Sequence, residues 1–321
     1  MNLTSPQRRI LLSIGLGIVA GLVAYARLRA MGILAADLTW PWRGARALLV
    51  GQDPYQVIQP TGDYPFDAPL YYPLPALLVF LPLAPLPAEA AASLFMAISV
   101  ALLVFGLTRD GYERLPMLIS LPFLNCLIWP QWSPLLTAAV LLPGLLPLAI
   151  AKPSIGLAAF AARGTWRAAV AVVAILALSL ALLPAWPWEW LQAIRRHGGD
   201  IPLLCLGGPL LLLALLRWRD WRGRLLAGLA IVPQVPYDAV MVWLVPRTLR
   251  QSLALALLSW GALVTWPVGA RLGVRAGISW MNVWVYLPAC AMLVWPDVLR
   301  IWRLRWGTKD EEPRPKHLSE E

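Results

Sequence analysis

Charged residues make up 14% of this 321-residue chain, where a soluble domain carries about 25%. So little solvated surface excludes a water-soluble globule. Cysteine is scarce: Cys126, Cys205 and Cys290 each sit inside an apolar run with no paired spacing. They read as small buried apolar residues rather than a disulfide or a metal set. The two histidines, His197 and His317, lie far apart and argue against a conventional metal centre. No metal site and no cofactor is therefore expected. Lysine is nearly missing from the body of the chain, Lys152 being the only one ahead of the C-terminal tail. No internal repeat of fixed period is visible.

A net charge of +10 would point a soluble protein toward nucleic acid. Here the arginines fall between apolar runs, at Arg8-Arg9, 217–224 and 300–305. That is the pattern of topology signals and lipid-headgroup contacts. No patch interleaves aromatics with base-reading residues, so nucleic acid is not an expected partner.

What the chain has in abundance is apolar length. It is 59% hydrophobic, with a mean hydropathy of +0.65. Repeated runs approach the length needed to cross ~30 Å of hydrocarbon. They predict an all-α, multi-pass membrane protein of about nine to eleven membrane helices, broken or re-entrant ones included. The 18 tryptophans cluster near run ends, as an interfacial belt does.

In chain order, residues 10–24 form an uncleaved first span. Arg8-Arg9 hold the amino terminus on the cytoplasmic side, so the loop that begins at Asp37 is extracytoplasmic. Residues 41–50 are expected to form a short interfacial helix ended by Gly51, with Asp53 able to cap the turn at 52–55. Residues 72–86 and 88–107 are the next spans. The runs 115–129 and 135–150 are too short to cross as straight helices. They predict half-depth or broken helices beside a protein-buried cavity. Residues 168–183 span, and 186–200 form a polar, tryptophan-rich outer loop whose Arg195, Arg196 and His197 could meet a headgroup or a phosphate. Residues 201–216 return to the cytoplasmic basic loop 217–224. Pro233-Gln234-Val235-Pro236 splits 225–245 into a re-entrant hairpin, which keeps Arg224, Arg247 and the tail cytoplasmic. Residues 252–268 and 278–294 are the last spans. The chain divides into one integral-membrane domain, 1–306, and a solvated tail, 307–321.

The polar island 37–75 concentrates acids, tyrosines, prolines and arginines between apolar runs. Asp37, just past the first span, can serve as a general base if it faces a cavity, or as a helix cap or solvated loop acid if it does not. Lys152, a lone ammonium between apolar runs, needs an anionic partner, for which a lipid phosphate would serve. The alternative is a side chain that snorkels to the interface. Asp238 lies inside an apolar segment, where an acid is either functional or the structural partner of an arginine or of Lys152.

The ordered set Asp37, Leu49-Val50-Gly51-Gln52-Asp53-Pro54-Tyr55 and Tyr72-Pro73 resembles glycosyltransferase family 87. These are integral-membrane enzymes with the C-type glycosyltransferase fold. Gln131 in Pro130-Gln131-Trp132-Ser133 stands where the family has the glutamine of G-Q-x-N, with the flanking glycine and asparagine replaced. Lys152-Pro153 matches the family's K-P, and Tyr237-Asp238 its Y-D. The Y-Y-P-L-P beginning at Tyr71 has its second proline displaced.

The resemblance implies a sugar donor on a polyprenyl phosphate, often mannose, and a hydroxyl acceptor on a lipid-linked or cell-envelope glycan. Asp37 would deprotonate that hydroxyl, which attacks the anomeric carbon in line and inverts it. Lys152 or a nearby arginine would meet the leaving phosphate, and Tyr55, Tyr72, Gln131, Tyr237 and Asp238 would line the substrate site. A cell-membrane location follows. A transporter or flippase uses the same broken helices and intramembrane acid, and a non-catalytic partner subunit is a third possibility.

Overall fold

The computed structural model describes residues 5–62, 68–195, 199–271 and 276–295. The tail from residue 296 and the Arg196-His197 pair lie outside these. The described chain is all-α. It has no strand, only an isolated antiparallel bridge between Asp200 and Gln234.

The longest helices are α1 (Ser5–Met31) and, after α2 (Thr39–Leu49), α3 (Pro54–Val57) and α4 (Leu74–Phe80), the 20-residue α5 (Ala88–Leu107). Helices α1 and α5 pack antiparallel. Arg9 of α1 donates to the Phe105 carbonyl and the Thr108 hydroxyl at one end, and Arg29 pairs with Glu89 at 3.7 Å at the other. Gly17 and Gly21 make that packing close. A Cβ at either would come within 2.6 Å of the Ala97 carbonyl or 2.9 Å of the Ser93 carbonyl. Small residues four apart are how membrane helices bring their backbones together, where burial of apolar surface gives little drive.

The middle is built from short pieces: α6 (Leu121–Ile128), α7 (Ser133–Leu141), the 3₁₀ segment Pro143–Ala151 and α8 (Pro153–Arg163). Proline sets their boundaries. Pro122, Pro134, Pro143 and Pro153 occupy the first turn of their helices, where the missing N–H costs nothing and the fixed φ favours a helical start. Helix α9 (Trp166–Leu182) fully buries only Ala168 and Ser179, packs Leu176 against the core and leaves most of its other side chains exposed, as a lipid-facing helix does. After α10 (Trp186–Ile194) come α11 (Trp221–Ile231), α12 (Leu249–Ser259), α13 (Gly261–Arg271) and α14 (Ala276–Met281). The last continues through a π-helical turn, Asn282–Tyr286, and both, Ala276 apart, belong to the 19-residue apolar stretch Gly277–Trp295.

Among the described residues three helices are long and apolar enough to cross a membrane: Ser5–Met31, Ala88–Leu107 and Gly277–Trp295. There are four if Trp166–Leu182 and Trp186–Ile194, bent by 100°, count as one span. This corrects the expected nine to eleven. The physical reason lies in the breaks, because helices of eight to eleven residues such as α6, α7, α8, α11 and α12 rise only about 12–17 Å. Two further expectations change. Residues 186–194 are a helix rather than a loop, and 252–268 is interrupted at Trp260 between α12 and α13.

The hairpin at 225–245 is present. Helix α11 ends at Ile231, the chain is extended through Val232 and Val235, and a 3₁₀ segment, Pro236–Leu244, runs back. Arg222 donates to the Leu244 carbonyl at 3.3 Å, and Arg247 bonds Asp220 at 2.5 Å. Both feet of the hairpin therefore stand at one end of the molecule.

Candidate active site

The chain reaches Asp37 through an unusual backbone path. Gly32, Leu34 and Ala36 have φ of 65°, 51° and 48°. The left-handed region is natural for the glycine, but Leu34 and Ala36 hold it against their Cβ sterics. This alternation turns the chain back after α1 and drops Asp37 into a one-turn 3₁₀ helix, Ala36–Leu38. The Thr39 hydroxyl fixes the turn by accepting from the buried Ala35 N–H at 3.1 Å.

Asp37 meets residues from two distant segments. Its Oδ2 accepts from the Tyr237 hydroxyl at 2.6 Å and from Gln131 Nε2. Among the described residues Oδ1 takes no hydrogen bond. The carboxylate is thus pinned through one oxygen while the other stays available to accept a proton. Gln131 is wholly buried and its Oε1 has no partner among the described residues. A buried acceptor left so costs about 1–3 kcal/mol unless a ligand donor meets it.

Asp238 lies beside this pair. Its Oδ1 accepts from Lys152 Nζ and Ser133 Oγ, each at 2.6 Å, and its Oδ2 from the Val235 N–H at 3.4 Å. The Lys152 ammonium also sits 5.0 Å above the Tyr237 ring. Tyr237 and Asp238 thus hold one cluster together, the first bonding Asp37 and the second Lys152. The tetrapeptide at 130–133 works the same way, because Gln131 reaches Asp37 and Ser133 reaches Asp238. Between them Trp132 is buried edge-on against Phe80 and Phe95 at 5.6 and 5.0 Å.

Tyr72 packs its ring 6.3 Å from Trp132 and lies within the electrostatic reach of both carboxylates. Tyr55 stands one step back. Its hydroxyl donates to the Tyr72 carbonyl at 2.8 Å, and burial pushes that phenol well above its usual range. Asp53 caps α3 by accepting the Tyr55 N–H at 2.9 Å. Above this turn Glu189 of α10 accepts from Gln56 at 2.6 Å, and Trp190 donates to the Tyr71 carbonyl at 2.9 Å.

The structure therefore brings Asp37, Tyr72, Gln131, Lys152, Tyr237 and Asp238 together and leaves Tyr55 as support. Within the chain the anionic partner of Lys152 is Asp238, and Lys152 keeps two further N–H donors. Asp238 thus makes the Lys152 contact that the sequence offered as one of its two alternatives. Ser133 was missed, although its hydroxyl in the short break between two apolar runs was a usable signal. Arg195 takes no part, its guanidinium lying over Trp188 at 5.7 Å. Among the described residues no three His, Cys, Asp or Glu side chains are grouped to hold a metal ion.

Comparison with protein-family models, with curated proteins and with solved structures finds no match for this chain.

Proposed function

We propose that the chain is a multi-pass cell-membrane glycosyltransferase of the C-type arrangement, with α2 as its interfacial helix. It moves a hexose, mannose by resemblance, from a polyprenyl-phosphate donor to a hydroxyl of a glycan or glycolipid acceptor at the extracytoplasmic face. One observation carries the proposal: five residues matched to the family pattern in four separate stretches, 37, 131, 152 and 237–238, are linked by hydrogen bonds, and Tyr72 packs on Trp132 beside them.

In this reading Oδ1 of Asp37 accepts the proton of the acceptor hydroxyl as its oxygen attacks the anomeric carbon. A base must lie about 2.6–3.2 Å from the proton's parent oxygen, and pinning Oδ2 aims the free oxygen. Gln131 Oε1 accepts from a second sugar hydroxyl. The departing lipid phosphate draws on the two unused N–H donors of Lys152, whose charge is shared with Asp238.

The test is transfer from a polyprenyl-phosphate mannose donor by the purified, reconstituted chain. Asp37→Asn is expected to reduce the rate by roughly 10²–10⁴-fold, with an unchanged unfolding midpoint. Undiminished transfer in that variant would sink the assignment of the base. The buried Lys152–Asp238 pair beside broken helices also suits a transporter. Substrate flux into proteoliposomes without any donor cleavage would establish that reading instead.

A further inference from the structure

A second polar region lies at the far end of the elements that carry the site. Helix α7 runs from Ser133 beside Asp238 to Leu141, α8 from Lys152 to Arg163, and the 236–244 segment from Asp238 to Leu244, whose carbonyl Arg222 holds. At the rise of such helices the separation is about 12–16 Å. There a cleft of about 240 Å³ opens, walled by Arg109, Asp110, Arg114, Arg163, Trp221 and Arg222. It adjoins the α1–α5 end that carries Arg9, where the positive-inside rule places the cytoplasmic headgroups.

The cleft is built, not merely basic. Two guanidiniums lie over the Trp221 ring, Arg163 at 5.1 Å and Arg222 at 4.7 Å, which holds both against the wall. Arg114 donates to the Pro246 carbonyl at 3.2 Å. The side chains of Arg109 and Arg163 make no hydrogen bond or ion pair with any described residue, so among these their planar forks are unspent. Arg224 nearby shows the alternative use of an arginine here. It donates to the Ala161, Ala162, Trp218 and Arg219 carbonyls and closes the end of α8. Among the described residues cations outnumber acids here: Asp110 is the one carboxylate among the lining residues, Glu113 also acts on Arg114, and Asp220 beside them is already shared by Arg222 and Arg247. Burial, and then the facing Arg114, lower the proton affinity of Arg222, and the Asp220 carboxylate opposes them.

We propose that this cleft binds a phosphate-bearing anion, gripped by Arg109 and Arg163 and backed by Arg222. Several arginine forks converging on one small cleft suit a phosphomonoester, which offers three oxygens and up to two charges. Its source is either a lipid headgroup or a soluble phosphate compound. The site is independent of Asp37 and stands whether or not the chain transfers sugar.

The test follows the unfolding midpoint of the full chain in phosphatidylcholine nanodiscs while inorganic phosphate is titrated. The same measurement is repeated in discs doped with phosphatidic acid, or with phosphatidylglycerol as a phosphodiester control. A rise with inorganic phosphate identifies a soluble source, and a rise with phosphatidic acid beyond that with phosphatidylglycerol identifies a headgroup. In either case Arg109→Gln with Arg163→Gln is expected to weaken binding at least about tenfold, while Arg195→Gln leaves it intact. Should the double variant fail to fold, Arg109→Gln alone, at an exposed position, carries the same expectation. No rise with either probe overturns the proposal. So does a rise that survives the cleft substitutions or that phosphatidylglycerol reproduces in full.

Discussion

Asp37, Lys152 and Asp238 sit at one end of α7, α8 and the 236–244 segment, and Arg163 and Arg222 sit at the other. The two ends treat charge differently. At the first, Asp238 is fully buried and has an ammonium, a hydroxyl and a backbone N–H on its oxygens. At the second, arginines face one another around a cleft with few carboxylates and with donors unspent. Depth explains the contrast. An unmatched charge in the interior costs several kcal/mol, whereas at the rim water and salt screen it. Excess charge is tolerated only where solvent or an incoming ion can meet it. The pairing of Asp238 in the interior gives fixed geometry, and the open rim gives a place for an anion.

The largest expected effect comes from unpairing the interior end. Lys152→Met leaves the buried Asp238 carboxylate with only Ser133 and the Val235 N–H. A loss of about 3–5 kcal/mol is expected, read as a lowered unfolding midpoint in detergent or nanodiscs. Adding Asp238→Asn to Lys152→Met is expected to restore most of it, because the uncompensated charge is gone. Equal stability of wild type and Lys152→Met would show that the pair is open to water, and the contrast between the two ends would collapse.

Much of this was legible in the chain because membrane embedding leaves few polar residues to choose among. Ala88–Leu107 reads directly as a helix, since nothing in it breaks a helix. The 225–245 hairpin follows from two prolines and the side on which the arginines must lie. Asp37, Lys152 and Asp238 stand out because each is an ion amid apolar neighbours. The number of full-length spans was not legible, since hydropathy cannot separate a continuous helix from two short ones joined at a proline. The left-handed backbone at Leu34 and Ala36 carries no sequence signal, as neither residue is glycine. The Lys152–Asp238 pairing spans 86 positions, and the acid could equally have met an arginine. The arginine cleft escaped notice because its members, read in sequence, are ordinary topology signals. Only folding sets Arg109, Arg163 and Arg222 around one space.

A smaller effect probes how the interior end holds its geometry. Tyr237→Phe removes one of the two donors on Asp37 Oδ2 and leaves the ring beneath Lys152. A hydrogen bond to a charged group is worth about 1.5–3 kcal/mol. Sugar transfer is therefore expected to fall roughly tenfold or somewhat more, with little change in unfolding midpoint. The drop should appear in turnover at saturating donor rather than in apparent donor affinity, because the lost bond orients a base and does not hold the donor. A change confined to donor affinity would move Tyr237 from positioning Asp37 to contacting the substrate.

The smallest expected effect lies at the rim. Burial alone would raise the Asp220 carboxyl, but the Arg222 N–H at 3.0 Å and the guanidiniums of Arg222 and Arg247 more than offset it. They hold Asp220 below the usual carboxylate range. A carboxyl lowered on folding adds stability that is complete above its unfolded pKa, about 3.9. That stability drains as pH falls through the lower folded value. Asp220→Asn is thus expected to cost only about 0.2–1 kcal/mol at neutral pH, since Arg247 is half exposed and well screened. It is also expected to flatten the acid limb of the pH–stability curve below about pH 4. A steeper acid limb in the variant would show that Asp220 is not held low. The same substitution removes a carboxylate that competes for Arg222 and frees Arg247, so phosphate is expected to bind the cleft more tightly. Weaker binding instead would mean that Asp220 serves the cleft by holding Arg222 in place, and the rim, like the interior, would then depend on a matched pair.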